Sequence, residues 1–402
     1  MMAKKPDQSA MHFETQAVHA GELRDKAHDS LVTPLIMATA YPFEDSDELH
    51  RYFRGEHQRA EEYGRYGNPT QDVAEKKLAA LEAGRLEDIE ALLTSTGMAA
   101  IVTTLLAMVK PGMHIVITAD SYRKTRVFVR EFLAKFGVEH TTCEPSVAGI
   151  AAACTATTRL IITESPTNPY LNCIDLAGLV AFAKPRRIKT LIDATLATPY
   201  NLRPLEFGID LVVHSATKYL GGHNDLMAGV VVGKRELITA LREHQGMLGA
   251  LASPFTAYML IRGLKTFAIR MQQHNRSGLA IARFLAAHPK IEQVWYPGLE
   301  SHPAHAIAKA QMHGFGGLIS FTVRGDLAAG SRVVDAVRLP YLAPSLGGPE
   351  SLIEQPALMS YYDKTPAERL ALGIRENLIR LSVGLEHDQD LIQDLDQALA
   401  TV

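Results

Sequence analysis

The chain has 402 residues, too many for one ordinary hydrophobic core, so two or more packed regions are expected. Lys+Arg 41 against Asp+Glu 44 leaves a formal net charge of −3, which gives no electrostatic reason to expect nucleic acid or a membrane surface and favours a small-molecule ligand. Cys143, Cys154 and Cys173 cannot all pair with one another and show no CxxC or metal-ligand spacing, so they read as reduced, mostly buried thiols of a cytoplasmic protein without a metal site.

In chain order, Met1 to Gln16 is polar and lacks the apolar centre of a signal peptide, and no later window approaches 18 consecutive apolar residues, so neither secretion nor membrane insertion is expected. Residues 1 to 70 contain Pro34, Pro42, Gly55, Gly64, Gly67 and Pro69 with little periodicity and read as an extended arm that packs on something else. Over 71 to 260, helical periodicity alternates with short Val- and Ile-rich runs, the pattern of βα units around a buried, mainly parallel sheet. The clearest strands are His114–Thr118, Arg159–Thr163, Thr190–Asp193, Asp210–His214 and Met227–Gly233. Ser253 to Arg270 reads as one helix, continued by polar Gln272, Gln273 and Asn275, bridging into residues 261 to 402. There an alternating strand Gly317–Val323, a helix near Arg332 and a strand Ile379–Val383 predict a smaller α+β domain.

The run HSATKYLGG (214–222) puts Lys218 just after a buried strand, where open α/β sheets place their ligands. Asp193 ends an otherwise apolar strand and would be costly to bury without a cation. A protonated pyridine nitrogen is such a cation, and a lysine one strand step away can hold the aldehyde of the same ring, which makes pyridoxal 5'-phosphate (PLP) the expected cofactor. Taken alone, Asp193 could equally be a cap or turn acid. The run TSTGMAA (94–100) opens an apolar helix with hydroxyls and a glycine, suiting a phosphate as well as plain N-capping, and Ser215 and Thr217 could add contacts. GVVVGKR (229–235) is too short for a P-loop, and GFGG (314–317) precedes a strand where a dinucleotide fingerprint opens a helix, so both read as turns. His302, His305 and His313 miss the H-E-x-x-H spacing and read as helical surface.

Together these segments resemble the Cys/Met-metabolism family of PLP enzymes over about residues 14 to 398. The matching motifs are YGRYGNPT (63–70), STGM (95–98), ESPTNP (164–169), Asp193, SATK (215–218), SLGG (345–348) and RLSVGLE (380–386). DSYRKTR (120–126), GGHND (221–225) and YLAPS (341–345) are closest in look to plant-type cystathionine γ-synthases. The resemblance implies a fold type I, aspartate-aminotransferase-like α/β architecture with a mainly parallel seven-stranded sheet. It makes Lys218 the Schiff-base lysine, Asp193 the pyridinium partner and Tyr122 the ring stacked on the cofactor. Gly97, Met98, Ser215 and Thr217 would hold the phosphate, with Tyr63 and Arg65 reaching it from a neighbouring subunit, so that a dimer is the minimal unit and a homotetramer is expected. Arg380, Ser345 and Asn168 would bind the substrate α-carboxylate.

The implied reaction is replacement at Cγ of an O-activated homoserine (phospho, succinyl or acetyl) by cysteine or a related nucleophile. The alternatives are a γ-lyase, a specialised γ-substitution enzyme, a PLP-binding protein without turnover and, with only the α/β pattern behind it, a nicotinamide-dependent oxidoreductase. Lys124 and Arg126 beside Tyr122 suit an anionic leaving group. Glu350 resembles the acid shared by γ-synthases and γ-lyases and favours Cγ over Cβ chemistry without separating the two.

Overall fold

The computed structural model describes residues 11–56 and 61–402; the first ten residues of the expected arm, and with them most of the Met1 to Gln16 reading, lie outside the described residues, as do 57–60. Seven strands form the large sheet: β1 (Ile89–Thr94), β2 (His114–Thr118), β3 (Glu139–Cys143), β4 (Thr158–Glu164), β5 (Lys189–Asp193), β6 (Leu211–Ser215) and β7 (Gly229–Lys234). Their order is β1-β7-β6-β5-β4-β2-β3. Only β7 is antiparallel to its neighbours β1 and β6; the remaining pairs are parallel.

Both faces of this sheet are covered, which is why its strands read as apolar runs. On one face Leu92, Ile117, Leu191, Val213 and Val231 pack under the helices Gly97–Met108 and Arg235–Leu248 through Ile101, Leu105, Ile238 and Leu241. On the other, Leu93, Val116, Ile192, Val212 and Val232 meet Val73, Leu78 and Leu81 of the helix Pro69–Ala83. That helix starts where it does because Pro69 occupies its first turn and Asn68 Oδ1 accepts from the Thr70 and Gln71 amides at 2.9 and 3.3 Å.

A second sheet has β8 (Ile291–Trp295), β9 (Leu318–Val323), β10 (Tyr341–Leu342), β11 (Leu352–Glu354) and β12 (Leu378–Ser382), ordered β10-β11-β12-β9-β8. Ile281, Leu285, Val333, Leu391 and Leu395 from the helices Phe267–Ala287, Leu327–Ala336 and Asp388–Leu399 close its core.

Several expectations are corrected. Ser253 to Arg270 is two helices, Pro254–Leu264 and Phe267–Ala287, because the Gly263 carbonyl is taken by Arg270 Nη2 (2.8 Å) and Thr266 Oγ1 (3.2 Å). The segment before residue 70 carries the helices Phe13–His19 and Ser46–Phe53. GVVVGKR is largely strand β7, buried between β1 and β6. His302 is buried in a turn, with Nε2 against the Tyr170 carbonyl (2.9 Å) and Nδ1 accepting the Ala304 amide (3.1 Å), while only His305 lies in the helix His305–Gln311. Of the three free thiols only Cys173 is fully buried. Among the described residues no helix is long and apolar enough to cross a membrane.

Candidate active site

Parallel strands deliver their carboxyl ends to one edge, and there β1 runs into Gly97, β2 into Tyr122, β4 ends at Glu164, β5 at Asp193 and β6 at Ser215, three residues before Lys218. Strand β7, running the other way, starts at this edge with Gly229 paired to both Thr94 and Ser215.

The helix Gly97–Met108 is capped by Thr96, whose Oγ1 accepts the Ala99 amide at 2.9 Å, and its first residue Gly97 packs against Ser215, at a helix start whose first N–H groups have no intrahelical partner. The approach is close: a Cβ on Gly97 would lie 2.9 Å from Ser215 Cβ, and one on Gly229 would lie 2.1 Å from the Thr96 carbonyl oxygen. The Thr217 hydroxyl donates to the Ala228 carbonyl (3.2 Å) and accepts the Ala228 amide (3.1 Å), which ties it to the residue just before β7. Gly229→Ala is expected to strain this cradle by about 1–3 kcal/mol, the usual penalty of an overfilled packed site. The melting midpoint should fall in both apoprotein and cofactor-loaded protein, and cofactor retention should weaken; wild-type values for both would contradict the packing described.

Asp193 Oδ1 accepts the Thr195 amide (3.0 Å) and hydroxyl (2.6 Å), so Oδ2 is left for a cation, and burial pushes the carboxyl up. Glu164 lies in register beside it, and its Oε2 accepts the Tyr122 amide at 2.8 Å. Burial, followed by the nearby Asp193 and Asp120, pushes Glu164 well above the usual carboxylate range. Glu164 appears in the sequence only as the first letter of a motif, yet the signal that marks Asp193, an acid ending an apolar strand, marks it too. Tyr122, 45% exposed, lines a small cavity with Glu164 and Asp193. The two cations after it separate: Arg126 Nε donates to the Ser121 carbonyl (2.9 Å), whereas Lys124 is exposed.

Lys218 Nζ donates to Ser345 Oγ at 2.6 Å, joining the edge of the large sheet to the second sheet. Burial and the positive Arg380 together lower its amine to about 8. Ser345 holds φ at +94°, an unfavourable conformation for a residue with a Cβ, costing about 1–3 kcal/mol. That backbone turns its hydroxyl to Lys218 while its carbonyl accepts Arg380 Nη2 at 3.0 Å. Arg380 is 6% exposed, with Nη1 on Asn168 Oδ1 (3.4 Å) and on Glu354 Oε1 (3.0 Å). Glu354 has no place in the sequence-based site.

Glu350 is exposed, and its Oε2 accepts Asn224 Nδ2 at 2.8 Å, joining the loop after Lys218 to the loop carrying Ser345. Tyr63 and Arg65 stand apart. Arg65 Nη1 donates to the Gly246 carbonyl (3.1 Å) and its guanidinium lies 5.0 Å from the Tyr66 ring centroid and 5.6 Å from that of Tyr63.

The chain is similar to cystathionine γ-synthase 1, chloroplastic, of Nicotiana tabacum, 45% identical over 390 residues, 96% of this chain and 71% of that protein. L-methionine γ-lyase of Fusobacterium nucleatum subsp. nucleatum is 42% identical over 96% of this chain and 98% of its own. The crystal structure of cystathionine γ-synthase from Xanthomonas oryzae pv. oryzae in complex with aminoacrylate and cysteine superposes with a TM-score of 0.90 at 37% identity, covering 97% of this chain and 98% of that one. The family model for Cys/Met metabolism PLP-dependent enzymes matches residues 14–400, nearly the whole span over which the Lys218 and Asp193 clusters are assembled, and the chain belongs to that family.

Proposed function

We propose that this PLP enzyme catalyses γ-replacement, joining an O-activated homoserine to cysteine or a related thiol. The observation that carries synthase over lyase is the 45% identity to the tobacco synthase across 96% of the chain. The pocket suits the cofactor: a carboxylate with one oxygen free on Asp193, a helix N-terminus at Gly97 and Met98, and an amine lowered to about 8 on Lys218. When bound, PLP supplies an electron sink for negative charge developing on the substrate carbons.

The chain's own residues do the rest. Asp193 Oδ2 would pair with the pyridinium nitrogen, the Gly97 and Met98 amides with Ser215 and Thr217 would hold the phosphate, and Tyr122 would cover the ring. Arg380, Asn168 and Ser345 fix the α-carboxylate. The Lys218 amine, freed when substrate arrives, takes a proton from Cα and then one from Cβ, and later returns them. Lys124, exposed beside Tyr122, meets the departing anion, while Arg126 braces the turn through Ser121. A thiol adding at Cγ gives cystathionine; water in its place leads to a 2-oxo acid and ammonia. Tyr63 and Arg65, which touch none of the Lys218 partners described above, serve the site of a neighbouring subunit, which makes the working unit a cytoplasmic dimer or a homotetramer built from dimers.

The lyase reading keeps a place because the Fusobacterium lyase is 42% identical over the same share of the chain. Mass-spectrometric product analysis with O-phospho-, O-succinyl- and O-acetyl-homoserine, with and without cysteine, separates them. Cystathionine should dominate whenever cysteine is present. Release of 2-oxobutanoate at one rate with or without cysteine would replace the synthase reading by the lyase.

A further inference from the structure

Glu354 is the only carboxylate given an ion pair with Arg380 among the described residues, and it is more deeply buried than the arginine itself, at 2% exposure. The two stand directly opposite each other where β11 pairs antiparallel with β12, so their geometry is set by the sheet and not by a loop. The distribution of hydrogen bonds around the guanidinium is uneven. Nη1 donates to Asn168 Oδ1 (3.4 Å) and is ion-paired with Glu354 Oε1 at 3.0 Å. Nη2 donates to the Ser345 carbonyl (3.0 Å). Nε is buried and has no partner. On the edge away from Glu354, Nε has its N–H unpartnered and Nη2 has a second N–H beyond the one on Ser345, two neighbouring donors of the kind that match a carboxylate in a two-point contact.

We propose that Glu354 is a positioning residue for substrate: it grips Arg380 by Nη1 so that the opposite edge, Nε with Nη2, is the one offered to the amino acid's α-carboxylate. Without the grip the guanidinium can rotate about its long side chain and turn either edge to the pocket, and the two-point match is lost. A second consequence concerns charge, since Glu354 balances Arg380 in the absence of substrate and a buried unpaired cation is costly. The proposal rests on Arg380 as the α-carboxylate site.

The test compares binding of L-2-aminobutanoate with that of its amide, L-2-aminobutanamide, to the holoenzyme by calorimetry, since the two probes differ only at the carboxylate and neither carries a γ-leaving group. Wild-type protein should prefer the acid strongly. Glu354→Asp keeps the charge but withdraws it by one methylene, and should reduce the preference at least fivefold. Glu354→Gln keeps the reach and an accepting oxygen, and should hold the preference within twofold. Wild-type preference retained in the Asp variant, or an equal fall in the Gln variant, overturns the positioning role. Absence of any preference in the wild type overturns the Arg380 assignment itself and is thereby distinguishable.

Discussion

Lys218→Ala is expected to lower kcat by at least about 10⁴-fold, because one side chain both anchors the cofactor and moves protons at two carbons, and positioned acid–base groups alone contribute about 10²–10⁴-fold. Borohydride should no longer fix PLP to the chain, whereas wild-type protein should carry it on the peptide containing Lys218. The pH dependence follows from the site. An ordinary lysine amine is charged below about 10.5, but burial and Arg380 disfavour the cation here and bring the amine to about 8. The neutral, nucleophilic form therefore grows in as pH rises through about 8, and at pH 7 roughly one amine in ten is already neutral, against fewer than about one in a thousand for an exposed lysine. Labelling of the apoprotein with an amine-reactive reagent, read by mass spectrometry, should show Lys218 reacting with a midpoint near 8. A midpoint near that of the surface lysines would remove the basis for a poised base. Exchanging Glu354 for glutamine removes the carboxylate that opposes Arg380 and should move this midpoint further down.

How much of this is legible in the sequence depends on how local each signal is. Lys218, Asp193 and the helix opening at Gly97 each combine a residue type with the end of a strand or the start of a helix, and such patterns survive without coordinates. The edge strand β3 does not, because its run EHTTC is mostly polar, with no residue fully buried, and lacks the apolar character of its buried neighbours. Glu354 is invisible for another reason. Its partner Arg380 is 26 positions away by number, and the pairing depends on the register of β11 against β12, which no short window encodes. Thr217 carries a contact that no motif shows: the return toward β7 brings Ala228 within reach, and the hydroxyl exchanges hydrogen bonds with its carbonyl and amide. The break between Leu264 and Phe267 belongs to the same class, since it depends on Arg270 folding back onto the Gly263 carbonyl.

The two neighbouring acids on β4 and β5 give the second large effect, and they should not behave alike. Asp193→Asn is expected to reduce kcat about 10²–10³-fold, the range seen when one preorganised electrostatic contact to a developing charge is removed. The asparagine can still accept from Thr195, so the loss isolates the negative charge that faces the pyridinium nitrogen and not the shape of the turn. Glu164→Gln should change kcat less than about threefold. Burial and two nearby acids already favour the protonated form of Glu164, which a glutamine imitates, and a glutamine oxygen can still accept the Tyr122 amide. The sign of the coupling gives an independent readout. Asp193 is one of the groups holding Glu164 above the usual range, so neutralising Asp193 should let the Glu164 carboxyl ionise at lower pH, visible as a carboxyl titration shift in isotope-edited infrared spectra of the apoprotein. If Glu164→Gln proved as damaging as Asp193→Asn, the charge opposite the cofactor nitrogen would have to be shared between the strand ends and could not be assigned to β5 alone.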